Sequence, residues 1–339
     1  MPTLYVTEPG ARLEKEYQRL LVTRDDEVLM AVPFAHVSEV VLVGRAGATT
    51  PAMLALLDAG TGLTLVNRSG KLRGRLRPAK GGNLPLRRLQ YARTQDEPFC
   101  LKVSREIVFG KIANTRTLAM RILRKRRAAG DSQIGTLAIQ LARLTEAHRK
   151  AGEAQSLDTL RGLEGTAARA YFAILRAGVQ WEGEQAFEKR VRRPPKDPVN
   201  ALLSFGYTLL TEALMTAAEV AGLDPYAGFF HAEKYGRPAL ALDLVEEFRP
   251  LIADSVALTL VNKKMLCPRD FETDGQGVYL SRRGLKVFFK QFSARLNTKI
   301  FHPAAGRAIS YQKCLEVQAR QLRQVIEGKA EAYAPFIVK

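Results

Sequence analysis

The segment Gly228-Phe-Phe-His231, followed by Asp243 and Glu246, brings together side chains that could do chemistry. A polar turn at Tyr235-Gly236-Arg237-Pro238 reverses the chain between the histidine and the acids. Asp243 and Glu246 stand three residues apart, so a helix projects both from one face. An imidazole and two carboxylates gathered by a tight turn are ligand types for Mg²⁺ or Mn²⁺. A further acid, Glu164, lies in Leu160-Arg-Gly-Leu-Glu-Gly-Thr, at the margin of a helical face formed by Leu160, Leu163, Ala167 and Tyr171. Gly162 and Gly165 flank it. A carboxylate on a half-buried face needs a partner, either an arginine such as Arg169 or a metal. Ion pairing alone would account for these acids equally well, because acidic pairs also occur on solvated helices. His36, His148 and His302 read as structural. Gly-x-Ser-x-Gly, the P-loop and the dinucleotide fingerprint are absent.

The second chemical signal is charge. Fifty-two Lys and Arg against 34 Asp and Glu leave a formal +18 across 339 residues, which predicts an anionic partner. The basic residues form three runs: Arg68 to Arg88, with Arg73, Arg75 and Arg77; Lys102 to Arg127, with Lys111 and Arg116; and Lys189 to Arg193. One such run is commonly a solvated face. Three runs with few acidic neighbours favour phosphate-backbone binding, which should weaken steeply with salt.

These side chains need elements to position them. Thr3–Thr7, Arg19–Thr23, Glu27–Ala31, Val37–Val43 and Leu63–Val66 read as strands, with a hairpin turning at Ser69-Gly70. A helix from Pro51 to Asp58 interrupts them, with Thr50 as its N-cap. A Gly- and Pro-containing linker runs from Pro78 to Pro85. Helical periodicity then covers Cys100–Arg127, Ser132–Ala151, Leu157–Ala177, Asn200–Gly222, Leu240–Lys263, Gly284–Leu296 and Ser310–Glu327. The predicted class is α+β: a small β-strand domain over residues 1–85, then a larger all-α catalytic and DNA-binding domain over 90–339.

Other classes fit less well. The N-terminus lacks a basic start and a continuous apolar run. The apolar stretch Leu202 to Leu223 is interrupted by Glu212 and Glu219, which suits a buried helix better than a bilayer span. Cys100, Cys267 and Cys314 show no paired spacing, which points to a reducing cytoplasm.

Over nearly its whole length the chain resembles the CRISPR-associated endonuclease and integrase family of the adaptation complex, which captures foreign DNA. The resemblance rests on Lys111-Ile-Ala-Asn114-x-Arg116, Gly162-x-Glu164-Gly165, Asp197-Pro-Val-Asn200 through Tyr207, and Leu223-Asp-Pro through Phe248-Arg249-Pro250. It implies a metal-dependent DNA endonuclease that inserts fragments into repeat arrays, with Glu164, His231 and Glu246 binding one Mg²⁺ or Mn²⁺. Family members often carry Asp at the position of Glu246, so direct ligation by Glu246 or by Asp243 stays open. Asn200 and Tyr207 match positions near the site, and Arg249 could hold a phosphate. The resemblance also implies a homodimer through the β domains, double-stranded and branched DNA substrates, a small ferredoxin-like subunit and a RecB-like nuclease. Two alternatives remain: a repair nuclease acting on branched DNA, and a non-catalytic structural DNA-binding subunit.

Overall fold

The computed structural model describes residues 3–67, 72–78, 83–191, 194–275 and 277–338. The expected Ser69-Gly70 turn, and with it Arg68, Lys71, Lys80, Arg192 and Arg193, lies outside them. The N-terminal part contributes β1 (Thr3–Val6), β2 (Arg12–Glu16), β3 (Arg19–Arg24), β4 (Glu27–Pro33), β5 (Glu39–Val43), β6 (Gly47–Ala48), helix α1 (Thr50–Asp58), β7 (Gly62–Val66) and β8 (Leu72–Leu76). These strands form two four-stranded sheets, ordered β1-β5-β7-β8 and β4-β3-β2-β6. β2 was not legible as a strand because Arg-Leu-Glu-Lys-Glu is polar apart from Leu13, which is fully buried. The α1 N-cap is Thr49 rather than Thr50, its side chain accepting from the Ala52 amide.

β5 explains how the two parts join. Val40 and Leu42 pack with Leu13, Leu20 and Leu56 between the sheets. Val41 and Val43 belong instead to the large core of the helical part. A strand buried on both faces reads as a continuous apolar run, as Glu39-Val-Val-Leu-Val does. Charges reinforce the junction. Arg75 is bidentate to Glu219 at 2.9 Å, and Arg77 reaches Glu39 at 2.9 Å and Thr216 at 2.8 Å. Tyr5 stacks on Phe289 with ring centroids 4.3 Å apart.

The helical part comprises α2 (Leu84–Thr94), α3 (Glu97–Ala128), α4 (Ile134–Gly152), α5 (Leu157–Gly178), α6 (Pro198–Val220), α7 (Ala239–Phe248), α8 (Ser255–Asn262), α9 (Arg282–Asn297) and α10 (Tyr311–Ile326). Side-chain caps start several of these: Asp96 for α3, Ser156 for α5 and Asp197 for α6. α6 is long and apolar enough to span a bilayer, yet 67% of its apolar window is buried inside the fold. The class is α+β as expected, with two hairpins added to the part expected to be all helical. They are β9 (Phe271–Asp274) with β10 (Gly277–Leu280), and β11 (Lys299–His302) with β12 (Arg307–Ser310).

The expected helix Leu240–Lys263 is broken by a π-helical turn, Pro250–Asp254. Proline has no N–H to continue the α ladder, and the Asp254 amide bonds the Arg249 carbonyl at 3.0 Å, five residues back. Such turns recur at functional sites. Beyond α10 the tail packs inward, with Tyr333 and Phe336 nearly inaccessible.

Candidate active site

α7 begins after the Tyr235–Pro238 turn and carries Asp243 on the side facing the incoming loop. Asp243 is fully buried. Its Oδ2 accepts from the amides of Phe229 at 2.7 Å and Phe230 at 3.1 Å. Its Oδ1 accepts from the His231 amide at 2.9 Å and lies 2.7 Å from His231 Nδ1. The loop approaches so closely that a Cβ on Gly228 would sit 2.8 Å from Asp243 Oδ2 and 2.7 Å from the Ala239 carbonyl carbon. The Gly-Phe-Phe-His stretch is thus a backbone cradle wrapped around one carboxylate. With Nδ1–H donated to Asp243, the imidazole offers Nε2 as its free lone pair. That nitrogen is 4.0 Å from Glu246 Oε1.

Glu246, one turn further along α7, is only 4% exposed. Arg249 Nη1 donates to its two oxygens at 2.8 and 3.0 Å. Lys111 Nζ, reaching in from α3, lies 2.6 Å from Glu246 Oε2 and also pairs with Glu164 Oε1 from α5. Burial alone would raise the Glu246 carboxyl, but Arg249, Lys111 and His231 together hold it well below the usual carboxylate range. The partner of Glu164 is therefore a lysine from another helix. Arg169, the arginine considered from sequence, bonds Thr166 instead at 3.1 Å.

Behind these groups lies a layer in which Arg190, Tyr171 and Asp254, not named in the site from sequence, join Arg249 and Tyr207. Arg249 lies over the Tyr207 ring at 4.1 Å, and Arg190 over the same ring at 5.3 Å. The hydroxyls of Tyr207 and Tyr171 each donate to Asp254 at 2.5 Å. Burial pushes the Asp254 carboxyl up, against the pull of Arg249 and the two hydroxyls. The only sequence signal for Asp254 was Pro250, since the π-helical turn after that proline sets the acid's direction. Arg249 stands on Glu246, and the Tyr207 ring lies against that arginine. Asn200 is engaged elsewhere. Its amide accepts from Arg190 and from the Val191 N–H at 2.9 Å, and donates to the Lys189 carbonyl at 2.8 Å. It fastens that segment to the start of α6 and touches the acids only through Arg190 and Tyr207.

The residues expected to contact DNA divide. Arg73 is exposed, as are Arg121, Arg124, Lys125 and Arg127 at the end of α3. Arg75 is committed to Glu219, and its Nε stands 3.5 Å from Glu212. That leaves it no free guanidinium edge of the kind expected, because α6 lays two glutamates against it. Arg116 is half-buried and bonds Thr145 at 3.1 Å. Lys111 is inside the acid cluster and 14% exposed. Of the remaining histidines, His148 stacks on Phe109 and His302 on Phe336.

By chemistry, Glu164, His231 Nε2 and Glu246 fit a hard divalent ion: two anionic oxygens and a neutral imidazole. Among the described residues, however, no three acidic, histidine or cysteine side chains already stand at metal-binding spacing. An ammonium group fills the point on which the two glutamates converge.

Residues 4–294 match the family model described as CRISPR associated protein Cas1. The chain is 35% identical over 342 residues to the CRISPR-associated endonuclease Cas1 1 of Moorella thermoacetica, spanning 99% of this chain and 98% of that one. It is 38% identical over 343 residues to a CRISPR-associated exonuclease Cas4/endonuclease Cas1 fusion of Geobacter sulfurreducens, of which it spans 60%. Among solved structures it resembles a chain of a Cas6-RT-Cas1–Cas2 complex, with TM-score 0.80 and 26% identity over 98% of this chain and 36% of that one.

Proposed function

This chain belongs to the Cas1 family of CRISPR-associated proteins, and from that membership and the acid cluster we propose that it is a metal-dependent DNA endonuclease and integrase. The observation that carries the reading is convergence. Glu164 on α5, Glu246 on α7 and His231 on the loop before α7 bring two carboxylates and an imidazole nitrogen towards one largely buried point. The reaction is transesterification: a DNA 3′-hydroxyl attacks the scissile phosphorus, one P–O bond forms, and the bond to the departing 3′ oxygen breaks. No external energy source is needed. Water in place of the hydroxyl makes the same event hydrolysis.

Mg²⁺ or Mn²⁺ held by Glu164, His231 and Glu246 would polarise the phosphate and stabilise the charge on the leaving oxygen. The chain's own residues prepare the place. Asp243 fixes the His231 tautomer and aims Nε2 outward, so its role is orientation, while Glu246 turns its oxygens to the cluster. Arg249, steadied by Tyr207, keeps Glu246 ionised and in one rotamer. The Glu164 side chain is 26% exposed, so solvent reaches the cluster from its side. Exposed Arg73 and the basic end of α3 supply surfaces for the DNA backbone.

The same reading includes partners. A Cas4 segment fused to a relative and the Cas1–Cas2 assembly of a structural neighbour support a larger adaptation complex. β4, an edge strand with Val28, Leu29 and Met30 exposed, supports a homodimer through the β part. One observation favours a purely structural reading: Lys111 and Arg249 already neutralise both glutamates.

A strand-transfer assay separates these readings. A labelled duplex with free 3′ ends and a repeat-containing target are incubated with Mn²⁺ and wild-type or His231→Ala protein, with a Cas2-type subunit added in parallel. Longer labelled strands that need both metal and His231 are expected. Cutting without joining, even with the subunit, would favour a repair nuclease. DNA binding without any reaction would favour the structural role.

A further inference from the structure

The cluster contains a cation of its own. Lys111 Nζ bridges Glu164 Oε1 and Glu246 Oε2, joining the helices that bear the two acids proposed to hold the divalent ion. Counted locally, Glu164 and Glu246 are balanced by Lys111 and Arg249, while Asp243 is absorbed by its three amides and His231. A divalent ion entering beside both cations would meet like charge at short range in a half-buried setting, where repulsion is weakly screened. One cation must leave.

The geometry selects which. Arg249 is held twice by Glu246 and stacked on Tyr207, and a planar guanidinium so fixed has no easy alternative position. Lys111 is a point charge on a flexible stem whose side-chain polar contacts are both at Nζ, and no ring packs on it among the described contacts. Its withdrawal would let the glutamates and His231 Nε2 close on one point, which the present spacing does not yet provide.

We propose that Lys111 is the built-in counter-ion of the metal-free site: its ammonium holds Glu164 and Glu246 together in the ion's absence and competes with the ion for both carboxylates. The proposal rests on the metal-dependent reading above and adds a residue that tunes metal affinity. Lys111 keeps α3, α5 and α7 in register before metal arrives. It also sets a threshold concentration below which the site stays closed to the ion.

The test needs no turnover. Mn²⁺ binding to the full-length protein is measured by loss of the free-ion EPR signal, for wild type, Lys111→Met, Lys111→Gln and Glu164→Gln. Thermal melts in chelator and in Mn²⁺ accompany each. Glutamine keeps a neutral hydrogen-bond donor on a slightly shorter stem, so it guards against a methionine variant that fails to fold. Both neutral variants should bind Mn²⁺ more tightly than wild type, by at least about fivefold, the lower end of ordinary site–site coupling. They should melt lower in chelator and gain more from Mn²⁺ than wild type does. Unchanged or weaker binding in Lys111→Gln, with binding still lost in Glu164→Gln, would overturn the counter-ion role and leave the metal site standing. Wild-type and lysine variants that all fail to bind Mn²⁺ would overturn the metal-dependent reading itself, and the counter-ion role with it.

Discussion

Glu246 and Glu247 are neighbours in sequence and opposites in the molecule. Glu246 turns to the acid cluster, where Lys111, Arg249 and His231 outweigh its burial and hold its carboxyl low. Glu247 points to the other side of α7, beneath the C-terminal strap. There Tyr333 donates to it at 2.5 Å, the Phe336 amide at 2.7 Å and Gln318 at 3.1 Å. Among the described residues no cation pairs with it, and burial pushes the Glu247 carboxyl up to about 8 despite those donors. Asn114 on α3 completes the strap by bonding the carbonyls of Glu247 and Phe336 and accepting from the Val338 amide. A Cβ on Gly110 would come within 2.5 Å of Pro335, so α3 has been cleared for the tail to lie on. One helix thus divides its labour. Its cluster face gathers cations around carboxylates, and its strap face buries a carboxyl held by uncharged donors.

Substitutions on the two faces should therefore fail differently. The largest effect is expected at the cluster: Glu164→Ala or His231→Ala should reduce DNA cleavage to the uncatalysed background while DNA binding, read by gel shift, persists. Full cleavage by either variant would dissolve the distinction. Asp243→Asn should be milder, lowering metal affinity and turnover by about 10–100-fold, as removal of a group that orients a ligand usually does. On the strap face, Phe336→Ala should lower unfolding free energy by about 3–5 kcal/mol, measured in urea. Turnover per folded molecule should fall far less than in the cluster variants.

The smallest effect is in pH dependence, and its sign separates the two faces. A carboxyl held low in the folded state contributes stability that is present above its unfolded value and lost as pH falls through the folded one. A carboxyl held high contributes stability below its unfolded value, lost as pH rises towards about 8 for Glu247. Glu247→Gln should flatten the decline in melting temperature between the ordinary carboxylate range and pH 8, leaving the acid limb unchanged. An unchanged alkaline decline with a flattened acid limb would mean that Glu247 is ionised beneath the strap.

Much of this arrangement could be read from residue types and spacing. The Gly-Phe-Phe-His loop, the turn at Gly236 and the Asp243–Glu246 pair lie within one short stretch, so local geometry alone brings them together. Arg249 was placed by its spacing from Glu246 and pairs with it; of the two residues placed by resemblance, the Tyr207 ring lies against Arg249 and Asn200 fastens the neighbouring segment. Lys111 was read as a DNA contact within the Lys111–Arg116 motif, because its neighbours in sequence do not show which acids it meets. Its partners lie on α5 and α7, and only packing brings them together. No role for Glu247 or for the Asn114 side chain was legible, because the strap that employs both is formed by residues 333–338. The fold was legible where periodicity was clean. It was missed where a strand was polar, at β2, where a helix began within an expected linker, at α2, and where Pro250 turned one helical run into two.

The most direct measurement sets the two neighbouring glutamates against each other. Glu246→Gln and Glu247→Gln would be assayed for Mn²⁺-dependent DNA cleavage at matched folded fraction, with folding verified by melting in the same buffer. The expected result is loss of cleavage in Glu246→Gln and near wild-type cleavage in Glu247→Gln. Retained cleavage in Glu246→Gln, or equal loss in both, would contradict the division of α7 into a chemical face and a structural one.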